Sequence, residues 1–171
     1  MRIPTWQALG GDHRAMRHML NMWPPFLGSG IRVKHIGADF HSASVVMHHR
    51  WWARNYVGTL FGGGLFAMTD PFWMVLVSRC LGRDYSVWDK AGEIEFISPG
   101  RSAVRADFEI TEELLEELRA SAAGGAKVLR WVQTDVVAVD GTLVARVRKQ
   151  LYVRERQRVA DPQTVPKTRE S

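Results

Sequence analysis

The chain has little of several things, and each shortage excludes something. It carries one cysteine, Cys80, in 171 residues. A lone cysteine cannot close an internal disulfide, so a reducing cytoplasm is the expected compartment and Cys80 itself is expected to be a small core residue. Long apolar runs are missing too. The most apolar stretch, 62–81, is interrupted by Asp70, Pro71 and Arg79, which argues against a membrane span, and Met1-Arg2-Ile3-Pro4-Thr5-Trp6 lacks the apolar region of a signal peptide. Compact metal-ligand spacing is absent. His48 and His49 are adjacent and on a strand would point to opposite faces, while His35, Asp39 and His41 share parity and are expected to form a solvated or interface strand face. No Ser-His-Asp or Cys-His pattern supports covalent serine or cysteine chemistry. Neither a metal nor a cofactor is implied.

What is present is ordinary for a soluble globular domain: 46% hydrophobic and 24% charged residues in a one-domain length. The formal charge of +5 raises the question of nucleic acid. Several of the positive charges, Arg156, Arg158, Lys167 and Arg169, fall in a tail mixed with prolines and acids where no apolar period survives. That tail, 155–171, is expected to be disordered. With no zinc spacing or RNA-binding aromatic signature, nucleic acid is not an expected partner.

The pattern predicts one domain over 1–154, with no internal repeat. Residues 12–23 read as an amphipathic helix, with Asp12 as a candidate cap, Met16, Met19, Leu20 and Trp23 on one face and Pro24-Pro25 as the stop. One or two strands follow in 31–52. The run 62–81 is apolar almost all round, as in a helix surrounded by protein, and Gly82 can end it. Strands are predicted at about 86–98 and 102–110. A short helix over 112–123 has Thr111 as candidate cap, Leu114, Leu115 and Leu118 inward and Gly124-Gly125 as exit. Two last strands, about 126–139 and 142–154, are joined by Asp140-Gly141, a strong hairpin signal. In the second of them Leu143, Ala145, Val147, Leu151 and Val153 alternate with Arg146, Arg148, Gln150, Tyr152 and Arg154, giving one core face and one basic face.

The most informative stretch runs from Asn55 to Asp70 (Asn-Tyr-Val-Gly-Thr-Leu-Phe-Gly-Gly-Gly-Leu-Phe-Ala-Met-Thr-Asp). It collects an amide side chain, backbone N–H groups at a helix start and a carboxylate, a set suited to attack of water on an activated carbonyl. The first turn of a helix has N–H groups without intrahelical partners at the positive end of the macrodipole, where a developing oxyanion is stabilised. Glycines 62–64 permit close approach to that backbone. Simpler readings stand beside this one. Asp70 before Pro71 is what a helix cap looks like, Asn55 suits a turn in which its side chain bonds its own backbone, and the glycines suit tight helix packing.

Asn55, Gly58, Thr59, Gly62, Gly63 and Asp70 resemble, at matching spacing, the motif of the hotdog-fold acyl-CoA thioesterases, of the PaaI-like or DUF4442-type tetrameric branch. That motif runs Asn, five residues, His-Gly-Gly, six residues, Asp; Phe61 occupies the histidine position. Glu93-Ile94-Glu95-Phe96-Ile97-Ser98-Pro99-Gly100 resembles the strand and turn after the hotdog helix, and Val139–Ala145 its last hairpin, so the resemblance spans roughly 21–154. It implies an α+β fold, one long helix wrapped by a mostly antiparallel sheet, with the hotdog core at about 31–154 and the 112–123 helix inserted. It also implies hydrolysis of an acyl-CoA or related thioester: Asp70 as general base or nucleophile, Asn55 orienting water or thioester, and the Gly62 N–H receiving the carbonyl oxygen. Asp89 lies about where related enzymes carry a small polar residue near the attacking water, although a solvated strand end explains it as well.

Phe61, Gly63, Leu65, Phe66, Phe72, Trp73 and Met74 are candidates for the acyl channel, although helix periodicity assigns most of them to the core. Arg101, Arg105, Arg148 and Lys149 are candidates for CoA phosphates. A homodimer or homotetramer is implied, with sites shared between protomers. A non-catalytic acyl-thioester-binding hotdog protein is the alternative, since binding needs no working Asp70. A hotdog hydratase is disfavoured, because neither an Asp and His five apart nor a His-Phe-Pro start to the helix occurs.

Overall fold

The computed structural model describes residues 12–156; of the tail predicted over 155–171, Glu155 instead ends the last strand and Arg156 N–H bonds Asp84 O, and the rest lies outside the described residues. Helix α1 (His13–Met22) buries Met16 and Leu20. Asp12 precedes it without a side-chain capping bond, its carboxylate lying 2.8 Å from His13 Nδ1 instead. Pro24-Pro25 does not simply stop the chain. It opens a second short helix, α2 (Pro24–Gly28), because a missing N–H costs nothing in a first turn. Asn21 fastens α1 to the sheet by donating to Val33 O at 3.0 Å and accepting from Val33 N at 2.8 Å.

Six strands follow: β1 (Ile31–Ile36), β2 (Ser42–Met47), β3 (Tyr85–Phe96), β4 (Val104–Glu109), β5 (Val128–Ala138) and β6 (Leu143–Glu155). They form one sheet of order β1-β2-β4-β5-β6-β3 with every neighbouring pair antiparallel. Alternation sets the faces: in β6 the buried Ala145, Val147, Leu151 and Val153 look inward while Arg148 and Arg154 are exposed. Asp140-Gly141 makes the hairpin into β6, with Gly141 at φ 89° and Thr142 N–H bonded to Asp140 Oδ1 at 3.0 Å. Helix α5 (Glu112–Ala122) starts as predicted, Thr111 Oγ1 accepting the N–H of Leu114 at 3.3 Å, and buries Leu115 and Leu118.

The helical run predicted over 62–81 lies against this sheet in two pieces, α3 (Gly62–Ala67) and α4 (Phe72–Leu81). Proline is the cause. Pro71 has no N–H for the ladder, and just before it Thr69 and Asp70 bond three residues back, to Phe66 O and Ala67 O. Phe72, on α4, stacks on Phe108 at a centroid distance of 4.7 Å and on Phe26 at 6.4 Å. Trp73 meets Phe108 edge-on, and its indole N–H donates to Thr134 Oγ1 at 2.6 Å inside the core. Phe72, Trp73 and Leu65 are thus core residues, as helix periodicity indicates.

The Trp73–Thr134 bond yields a stability test. Thr134→Val keeps the shape but strands a buried indole N–H, so unfolding free energy in urea should fall by about 1–3 kcal/mol. An unchanged denaturation midpoint would show that the bond contributes nothing net.

Candidate active site

The segment between β2 and α3 folds on Asn55. Its Oδ1 accepts the N–H groups of Val57 and Thr59, both at 3.1 Å, and its Nδ2 donates to Thr59 Oγ1 at 2.8 Å. Its backbone N–H adds a bond to Thr59 O at 2.8 Å, and Gly58 turns the loop with φ 79°. The side chain is therefore engaged as a turn residue, and one Nδ2 hydrogen remains for anything else. Leu60 N–H then bonds Gly100 O at 2.8 Å, which brings the loop beside the turn after β3.

Between these two turns lies a cleft of about 440 Å³, whose walls include Asn55, Gly62, Leu65, Phe96 and Arg101. The three glycines at the start of α3 have separate reasons to be glycine. A Cβ on Gly62 would lie 2.8 Å from Phe96 Cζ, and one on Gly63 would lie 2.5 Å from the Phe61 ring. Gly64 packs on the buried Met47, whose Cε would be 2.6 Å from an added Cβ. Tight packing thus accounts for Gly64, whereas Gly62 opens its backbone to the cleft. Phe61 caps the helix with its carbonyl, which accepts from Gly64 and Leu65, and its ring is exposed. The N–H groups of Gly62 and Gly63 precede the first N–H that the helix itself engages, that of Gly64.

Asp70 does not line that cleft. From the break between α3 and α4 its Oδ1 accepts a 2.5 Å bond from Lys149 Nζ, on the inner face of β6. The Lys149 side chain is only 4% exposed while that of Asp70 is 50% exposed, so the ammonium is sealed in and the carboxylate half open. Asp70 is not a helix cap, since α4 begins without any side-chain capping bond. Asp89 Oδ2 stands 3.5 Å from the same Nζ, and its Oδ1 is buried without a hydrogen-bond partner. Asp89 is therefore an inward residue in mid-strand, not a solvated strand end. Burial is the chief cause that pushes its carboxyl above the usual range; Lys149 opposes the shift and the Asp70 charge adds to it. Phe66 completes the cluster, its ring centroid 4.4 Å from Lys149 Nζ.

The arginines separate. Arg101 is exposed on the cleft wall. Arg105 is exposed on β4 and paired with Asp107 at 2.8 Å, and Arg148 lies on the outer sheet face, paired with Glu93 at 3.1 Å and placed over the Trp131 ring. Lys149 must be withdrawn as a phosphate ligand, because inward parity on β6 buries it. That parity was readable: position 149 falls between Val147 and Leu151 on the apolar face, where a lysine has no bland explanation. Among the described residues no three histidine, cysteine or acidic side chains gather as a metal site would require.

Several solved structures share this architecture. PA5026 of Pseudomonas aeruginosa, a protein of unknown function described as a probable thioesterase, superposes with a TM-score of 0.72 at 18% identity, over 81% of this chain and 93% of its own. The Haemophilus influenzae thioesterase HI1161 gives a TM-score of 0.60 at 17% identity, over 84% of this chain and 90% of its own. The P. aeruginosa thioesterase PA1618, solved as a mutant, gives 0.62 at 15% identity, over 85% and 96%. At these identities the likeness establishes the fold, an α+β hotdog, as the motif resemblance implies. No curated protein matches the sequence. A family model matches residues 11–153, nearly the whole described chain, and the protein belongs to that family, "Domain of unknown function (DUF4442)".

Proposed function

We propose that the protein hydrolyses an acyl-CoA or related acyl thioester to the free acid and a thiol. The observation that carries this reading is the Asp70 carboxylate: half exposed at the break in the helical run, free of any capping duty, and following a glycine helix start that faces a cleft. Hydrolysis needs a base for water and a donor for the carbonyl oxygen. Asp70 takes a proton from water as the water oxygen bonds to the thioester carbon. The carbonyl π pair moves to oxygen, where the Gly62 N–H receives it; collapse expels the thiolate, which is protonated in turn. Removing one such oxyanion donor in other enzymes costs about 3–4 kcal/mol. Asn55 shapes the cleft loop and offers its remaining amide hydrogen to water or thioester. Asp89, Phe66 and Gly63 border the reacting groups, and Arg101 is the cleft's candidate for a CoA phosphate, with Arg105 and Phe61 reserved for more distant parts of the substrate. Thioesterase names among the structural neighbours support this chemistry.

The working unit in this proposal is a homodimer or homotetramer. Two observations support it. Strand β3 is a twelve-residue sheet edge bearing the exposed Trp88 and Phe96, next to exposed Ile97 and Phe61, the kind of long edge that proteins cover. Asp70 is also missing from the walls of its own chain's Asn55–Gly62 cleft, so a neighbour's Asp70 is the one that would complete it.

Two tests follow. Asp70→Asn should keep fold and acyl-CoA binding but lose at least about a hundredfold in kcat, general-base assistance being typically worth 10²–10⁴. Equal turnover by the mutant would remove Asp70 from the chemistry, and tight acyl-CoA binding without turnover by the parent would make the protein a binding module. The second test mixes Asn55→Ala and Asp70→Ala chains, unfolded and refolded together. Half of the dimers are then mixed and each has one intact site, so activity should return to about a quarter of the parent value. A verified mixed dimer with no activity would mean that both residues serve one chain's own site.

A further inference from the structure

We propose that Lys149 is a positioning residue for Asp70: its buried ammonium pairs with the Asp70 carboxylate and fixes Oδ1, so that Oδ2 is the oxygen presented to water. The inference rests on the thioester-hydrolysis reading of Asp70, and it adds a residue that neither the motif nor that reading contains.

Strand pairing puts the lysine where it can act. Lys149 has Gly92 of β3 on one side and Val132 of β5 on the other, both uncharged, and its inward neighbours along β6 are Val147 and Leu151. An ammonium on such a face needs a countercharge, and the break at Pro71 delivers one in Asp70. The register of β3 delivers the second. A bulge between Asp89 and Ala91 shifts the alternation by one, so that Asp89, opposite Leu151, and Gly92, opposite Lys149, both face inward. Gly92 is needed there, because a Cβ would lie 2.7 Å from Phe66 Cζ and 3.2 Å from Lys149 Cδ. The lysine stem is thus confined between the Phe66 ring and the Gly92 backbone, and its head reaches Asp70 Oδ1 at 2.5 Å and Asp89 Oδ2 at 3.5 Å.

The charges decide the consequence. The charged groups facing Asp70 are Lys149 from β6 and Asp89 from β3, and among the described residues no other ion pair joins these three. Asp70 and Asp89 are two like charges around one cation, and removing the cation leaves them to repel each other. Lys149 therefore sets the aim of the base. Among the described residues no hydrogen bond engages Asp70 Oδ2, and the side chain is half exposed.

The test uses Lys149→Met, with Lys149→Gln as a second neutral variant should the first fail to fold. With an acyl-CoA that the parent hydrolyses, kcat should fall tenfold to a hundredfold with KM within about twofold, since misplacing a reacting group by about 1 Å costs up to roughly 10²-fold. The acid limb of the kcat–pH profile should move to higher pH. Adding Asp89→Asn to Lys149→Met should return that limb toward the parent position, a rescue that lost packing alone would not give. A neutral variant with parental kcat and an unmoved acid limb overturns the inference and leaves the thioesterase reading standing. Carbon-13 titration of the Asp70 carboxyl in parent and variant separates the two further. Titration of Asp70 at higher pH in the variant supports the hold of Lys149 on Asp70 even for a parent inactive on every acyl-CoA, which would sink the thioesterase reading alone; an unmoved titration overturns the inference whatever the activity.

Discussion

A proline at position 71 constrains everything around the candidate site. The apolar run that fills the sheet would continue as one helix from Gly62 to Leu81, but Pro71 has no N–H to give, and the ladder gives way to three-residue turns at Thr69 and Asp70. A carboxylate inside an unbroken, buried helix would be pressed against apolar neighbours. At the break it leaves the helical ladder, and its Oδ1 reaches the inner face of β6. The position of the carboxylate follows from one missing hydrogen-bond donor, and that position is what brings it within reach of Lys149 beside Gly92.

Much of the fold was legible because its signals are local and redundant. Asp140-Gly141 predicts a hairpin from turn chemistry alone, Thr111 followed by two acids predicts the start of α5, and strict alternation fixes the faces of β6. Where single residues carry two meanings, sequence reading was less secure. Pro24-Pro25 can stop one helix or start another, and only the packing of Phe26, fully buried, decides for the second. The bulge at Asp89–Ala91 leaves no mark in composition, yet it determines that Asp89 faces inward.

The candidate site's residues stand out in the sequence, whereas their partnerships do not. Spacing pointed to Asp70 and Gly62, an aspartate before proline also reads as a cap, and the absence of a side-chain capping bond at the start of α4 removes the cap reading. Asn55 shows the opposite outcome. The asparagine signal was real, and the turn it suggested is the one that forms, with three side-chain hydrogen bonds inside its own loop. Lys149 reads as a phosphate ligand when a basic strand is grouped by charge, whereas its parity with Val147 and Leu151 was the informative property and puts it inside.

Stability alone gives no reason for a lysine at 149. Its neighbours on that face are Ala145, Val147, Leu151 and Val153, all buried, and an apolar residue there would avoid removing an ammonium from water. The partner it gains does not recover that cost cheaply either, since Asp70 is half exposed and solvent weakens its share of the attraction, while Asp89 is held close to a second negative charge with one oxygen unsatisfied. Such an arrangement resembles the departures from good packing that functional sites retain, where local frustration is set by chemistry rather than by folding. The same reasoning places the cost on β6, paired along its length with β3 on one side and β5 on the other, where a rigid frame can hold the cluster in one geometry.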